Sequence, residues 1–154
     1  MERSLVLIKP DAVRKNLIGK IISVYEDNNL KVIALRMERI TKEFASKHYE
    51  EHIGKDFYMP LLDFITSGPL CALVLEGKNA IERIREINGN TNPEKANDGT
   101  IRKMYASGKT ENCVHASDSF DSAKREIELW FGNNVKWIMK SIKLNKKLHK
   151  EFLK

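Results

Sequence analysis

The sequence predicts an α+β fold: a four-stranded antiparallel sheet of the ferredoxin-like, split βαβ kind, with helices on one face and a helical extension at the C-terminus. Three observations carry this. Short apolar segments of strand length alternate with longer stretches of helical period. Their order is strand, helix, strand, helices, strand, helix, loops, strand, helix. No internal repeat or low-complexity segment points to a solenoid or a linker instead.

Residues 4–8 form a short apolar run with valine and isoleucine, a buried strand, and Pro10 blocks further strand pairing. Ile18, Ile21, Ile22 and Tyr25 then recur at helical spacing, and Asn28-Asn29 ends that helix. Residues 31–40 alternate in part and read as a second strand. Thr41 caps a helix through Phe44, Ala45, His48 and Tyr49. A shorter helix over 59–65 ends at Ser67-Gly68-Pro69. Residues 70–75 are a dense apolar strand, stopped by Glu76-Gly77. Ala80, Ile81, Ile84 and Ile87 give an amphipathic helix that Gly89 ends. A polar loop (90–99), a short element (100–106) and a second polar loop (107–112) follow. Cys113-Val114-His115 is the last strand. The helix over 121–131 turns Ala123, Ile127 and Trp130/Phe131 inward.

At 154 residues the chain divides into one domain, 1–132, and an extension, 133–154. A domain of this size buries roughly 70% of its unfolded surface and needs no staples. No apolar run approaches the roughly 20 residues of a membrane span. Met1-Glu2-Arg3-Ser4 shows no signal peptide. Cys71 and Cys113 sit in apolar runs without a C-x-x-C pair, as buried thiols of a cytoplasmic protein do. The net charge of +6 belongs to the extension, which carries seven lysines against Glu151, while the first 132 residues balance to zero. Val135, Ile138, Met139 and Ile142, then Leu144, Leu148 and Phe152, line one face of the extension. It reads as an amphipathic helix packed on the domain or a partner subunit, or as a basic helix for anionic surfaces or nucleic acid.

His115 is the chief candidate for chemistry. An imidazole is nucleophilic and partly unprotonated at neutral pH. Glu126, on the following helix, is placed to hold the second ring nitrogen and fix the tautomer. Lys9, Arg85, Thr91 and Arg102 offer contacts for phosphate oxygens. A nucleophilic imidazole facing such cations suits phosphoryl transfer. Neither G-x-x-x-x-G-K-[ST] nor G-x-G-x-x-G is present, so a phosphate ligand must be held without a P-loop. His48-Tyr49-Glu50-Glu51-His52 also matches the zinc-peptidase pattern H-x-x-E-H. Ferredoxin-like sheets also bind RNA, although the aromatic RNP pattern is missing here.

The segment Asn112-Cys113-Val114-His115-Ala116-Ser117-Asp118 resembles the N-x-x-H-[GA]-S-D signature of the nucleoside diphosphate kinases. The similarity runs through residues 2–132 in the family's order. It takes in Leu7-Ile8-Lys9-Pro10-Asp11, His48-Tyr49, Ser67-Gly68-Pro69, Thr91-Asn92-Pro93, Gly99-Thr100-Ile101-Arg102 and Glu128-Leu129-Trp130-Phe131. The resemblance implies ping-pong transfer of a phosphoryl group from a nucleoside triphosphate, commonly ATP, to His115 Nδ1 and on to a nucleoside diphosphate. Mg2+ would bridge the phosphates, with no protein ligand. Glu126 would orient the ring through Nε2, and Ser117 would support that carboxylate. Lys9 and Tyr49 would lie near the transferred group, with Lys9 and Asn112 reaching the ribose. Arg85, Thr91 and Arg102 would bind the outer phosphates and His52 the innermost, which leaves His48 structural. Phe57 would stack on the base beside Leu61, giving broad base tolerance. The family also implies a homo-oligomer, a hexamer rather than a tetramer. Lys109 (against the base), Lys55, Asn90 and Asp98 (in the loop of subunit contacts) depart from the common pattern.

Overall fold

The computed structural model describes residues 1–132, and the amphipathic extension expected for 133–154 lies outside them. Four strands form one sheet: β1 (Glu2–Ile8), β2 (Lys31–Glu38), β3 (Leu70–Gly77) and β4 (Val114–Ala116). Their order is β2-β3-β1-β4, antiparallel throughout. This is the expected split arrangement. β1 pairs with β3 from Glu2 opposite Gly77 to Ile8 opposite Cys71, and with β4 through Leu7 opposite His115.

One expectation needs correction, because helices cover both faces of the sheet. Leu5, Leu7, Ala72 and Val74 pack under α3 (Lys42–His48), α4 (Tyr58–Ile65) and α7 (Phe120–Phe131), against Ala45, Leu62, Ile65, Ile127 and Trp130. Val6, Ile8, Leu73 and Leu75 face the other way, onto Ile21 and Tyr25 of α2 (Ile18–Asp27), Ala80 and Ile84 of α5 (Ala80–Asn88), and Ile101 of α6 (Ile101–Tyr105). The physical reason is already in β1 and β3. Their apolar residues run on without alternation, as strands buried on both sides do. The same covering removes the open face on which an RNA-binding sheet stacks bases.

Pro10 does more than end β1. It occupies the first turn of α1 (Pro10–Arg14), where its missing N–H leaves nothing unpaired. Three further helices start at side-chain caps. Thr41 Oγ1 accepts from the Phe44 amide, Thr100 Oγ1 from Lys103 and Ser119 Oγ from Ser122, each worth about 1 kcal/mol. No helix among the described residues is long and apolar enough to cross a membrane.

Gly89 ends α5 and packs against Thr100, the cap of α6. Its φ of 84° and ψ of 179° form a conformation open almost only to glycine. A Cβ there would lie 2.5 Å from Thr100 Oγ1. Gly89→Ala is therefore expected to lower unfolding stability by about 2 kcal/mol, read by chemical denaturation. An unchanged midpoint would show that the close approach is not required.

Candidate active site

The site is assembled around β4. Just before that strand, Cys113 sits at φ 72°, an uncommon conformation for a residue with a Cβ. Two bonds hold it there: its N–H donates to Asp11 Oδ2 at 3.0 Å, and its carbonyl accepts from the Lys9 amide at 2.8 Å. Burial, then the neighbouring Asp11 carboxylate, push the Cys113 thiol up to about 12, so it stays inert. The kink delivers Asn112 and His115 to the wall of one cavity. Lys9, Tyr49, Arg85, Thr91 and Arg102 share that wall.

His115 is half-buried and bonds Glu126 Oε1 through Nε2, at 2.5 Å. A carboxylate accepts, so the neutral ring carries its proton on Nε2 and its lone pair on Nδ1. Nδ1 makes no hydrogen bond among the described residues. Glu126 is buried because α7 turns one face to the sheet and places it beside Ala123, Ile127 and Trp130.

Lys9 is 6% exposed, and its Nζ donates to Asn112 Oδ1 at 2.8 Å. Burial above all, then the Arg102 charge, lower it to about 8, while Asp11 pulls the other way. Asn112 turns its amide nitrogen to the carbonyls of Lys109 (2.9 Å) and Thr91 (3.3 Å), which ties both polar loops together. Arg102 donates to the carbonyls of Gly89 and Val114, both at 2.8 Å, and its buried Nε is unpartnered. The Tyr49 hydroxyl is buried without a partner, and burial keeps it a phenol. Farther out, Phe57 is 51% exposed, with His52 at 5.3 Å between ring centroids and Lys55 Nζ 5.6 Å over its face. Leu61 and Lys109 line the same outer part.

The bond expected between Ser117 and Glu126 is not formed. Ser117 Oγ instead accepts from the Leu5 amide at 3.2 Å, and Glu126 Oε2 has no partner. Sequence reasoning also passed over Asp118, whose carboxylate lines the cavity. The Ser122 hydroxyl donates to it and holds it below the usual carboxylate range.

The zinc pattern does not make a metal site. α3 ends at His48, and His52 lies in a separate 3₁₀ turn, Glu50–His52, where its Nδ1 contacts Lys55 Nζ at 3.0 Å. Glu51 accepts from Arg125 at 3.4 Å. A different trio, His48, His115 and Glu126, brings its donor atoms within 4.8 Å of one another. The tautomer argues against a metal there too. Trp130 Nε1–H donates to His48 Nδ1 at 3.0 Å, so neutral His48 carries its proton on Nε2, the atom a metal would need. Burial first, then the charges of His115, Arg125, Lys9 and His52, hold His48 well below the usual histidine range, so it stays neutral.

An imidazole among cationic side chains in a ferredoxin-like domain suits group transfer with anionic substrates. Known proteins narrow the class. A family model of nucleoside diphosphate kinases matches residues 2–135. The nucleoside diphosphate kinase of Clostridium perfringens is 61% identical over 131 residues, which span 85% of this chain and 92% of that one. The enzyme of Sulfurisphaera tokodaii is 50% identical over 85% of this chain and 89% of its own. Among solved structures, the Aquifex aeolicus nucleoside diphosphate kinase superposes with a TM-score of 0.84 at 41% identity, covering 86% of this chain and 96% of that one. The chain belongs to the nucleoside diphosphate kinase family. It is a phosphotransferase with nucleotide substrates, in a family that generally uses a divalent cation.

Lys9 gives this cavity a pH signature. Folding lowers its affinity for a proton, so between about 8 and the ordinary 10.5 the folded state holds fewer protons than the unfolded chain. Its contribution to stability therefore rises with pH across that window. Binding of an anionic nucleotide should do the opposite and weaken as pH climbs past about 8, as titration calorimetry would read. Affinity that stayed flat up to pH 9.5 would remove Lys9 from phosphate binding.

Proposed function

We propose that the transfer runs through His115 in a ping-pong cycle. The Nδ1 lone pair attacks the terminal phosphorus of a nucleoside triphosphate, ATP above all, and the diphosphate leaves. The phosphohistidine then gives the same group to the terminal oxygen of another nucleoside diphosphate, and the ring regains its lone pair. The observation that carries this reading is the Glu126–His115 bond at 2.5 Å, which assigns the proton to Nε2. It also sets a carboxylate against the positive charge that grows on the ring during attack.

In this reading Lys9 and Tyr49 serve the transferred group, with Lys9 and Asn112 on the ribose hydroxyls. Arg85, Thr91 and Arg102 serve the outer phosphates and His52 the innermost. The convergence of these side chains on one cavity supports it. Phe57 and Leu61 take the base by stacking, which is tolerant of sequence. The divalent cation fits as Mg2+, a hard ion that keeps its waters and takes phosphate oxygens. Asp118, whose carboxylate lines the same cavity, would hold such a water. When bound, the ion neutralises phosphate charge. A cytoplasmic setting fits two free, buried thiols, and a hexamer would cover Leu35 and Met37, exposed on the edge strand β2.

Incubation with γ-labelled ATP is expected to leave an acid-labile, alkali-stable label on the wild type and none on His115→Ala, which should still fold but melt earlier because Glu126 loses its partner. Glu126→Gln is expected to slow transfer about 100-fold or more, because the amide no longer fixes the tautomer. Ordinary ATP-to-GDP transfer by His115→Ala would end the proposal.

A further inference from the structure

The cluster behind His115 contains a group that this cycle leaves idle. His48 is fully enclosed, and its ring stands edge-on to His115, with centroids 4.7 Å apart and planes at 79°. Its Nε2 lies 3.8 Å from Glu126 Oε1, the same oxygen that accepts from His115. Neither His48 Nε2 nor Glu126 Oε2 has a partner. A buried, unmet N–H donor thus stands 3.8 Å from one oxygen of a buried carboxylate whose other oxygen is also unmet. Such groups are rare in a folded core and attract each other strongly where water is absent.

The direction of the donor is set from behind. The indole N–H of Trp130 can only donate, so it denies His48 the other tautomer and commits the His48 proton to Nε2. The chain of dipoles runs from Trp130 to His48 to Glu126 to His115. Trp130 and Glu126 are four residues apart on α7, so one helix face supplies both the pin and the carboxylate, and α3 supplies the ring between them.

We infer that His48 is a positioning residue of the transfer reaction: its Nε2–H, pinned by Trp130, holds Glu126 against His115 and thereby keeps the His115 proton on Nε2. The inference rests on His115 being the phosphoryl carrier. Without that dipole the Glu126 carboxylate is free to turn Oε1 away from the imidazole. The ring proton then spreads to Nδ1, and the nucleophilic lone pair is lost from part of the population. The cleft that binds nucleotide is untouched by this change, so kcat should fall while KM holds.

The test separates this role from mere core filling. His48→Asn keeps an acceptor for Trp130 near the Nδ1 position but has no donor where Nε2 was. His48→Gln reaches the Nε2 position with an amide N–H. Phosphorylation of His115 from ATP is expected to slow about tenfold in His48→Asn with KM unchanged, the usual size for a group one contact removed from the reacting atoms. His48→Gln should recover most of the rate. The 15N shifts of His115 should show a single Nε2–H tautomer in the wild type and a mixture in His48→Asn. Trp130→Phe supplies an independent arm, because it frees the His48 tautomer and should give the same mixture at His115. If these variants melt earlier but transfer at the wild-type rate, with the His115 spectrum unmoved, His48 is structural and the inference falls. A wild-type label on some residue other than His115 would instead overturn the proposed cycle itself.

Discussion

The short bond between His115 and Glu126 is the constraint on which the site depends. A free imidazole shares its proton between two nitrogens, and only one arrangement leaves Nδ1 nucleophilic. Burying Glu126 under α7 makes its carboxylate a directional acceptor rather than a solvated charge. That burial is costly unless the oxygen is paired, so the helix, the carboxylate and the imidazole stand or fall together. The sheet contributes the other half of the alignment. β4 is only three residues long, and it holds His115 opposite Leu7, a fully buried residue of β1.

Strain is concentrated two residues before His115. Cys113 in the left-handed region costs about 1–2 kcal/mol. The Asp11 and Lys9 bonds to its backbone offset a similar amount, at about 1 kcal/mol each. Asp11 and Lys9 come from the same β1–α1 corner, which Pro10 turns. One tight corner thus supplies the anchor for the kink and a cation for the cavity. Arg102 links the remaining pieces, since its two bonds clamp the end of α5 to the carbonyl before His115.

Much of this was legible in the sequence, for local reasons. Helix ends followed their caps, as Thr41 and Gly89 show, and strands followed their apolar runs. The pairing of His115 with Glu126 was legible because a strand-end histidine followed by a helix leaves few ways to pair. The second helical layer was missed although unbroken apolar strands announced it. The kink at Cys113 was invisible, because it depends on Asp11 about a hundred residues earlier in the chain. His48 looked structural for the same reason: its meaning depends on Trp130 and Glu126, which approach it only after α3 and α7 pack on one face. Ser117 went to the Leu5 amide and not to Glu126, a choice between two nearby acceptor-donor pairings that spacing does not decide.

The nitrogen that receives phosphorus tests the central claim most directly. Protein labelled with 15N-histidine, phosphorylated from ATP and studied in alkali-stable form by 31P–15N coupling, should show phosphorus bonded to His115 Nδ1 alone, with Nε2 still protonated. Phosphorus on Nε2 would mean that Glu126 does not set the tautomer, and the account would fail.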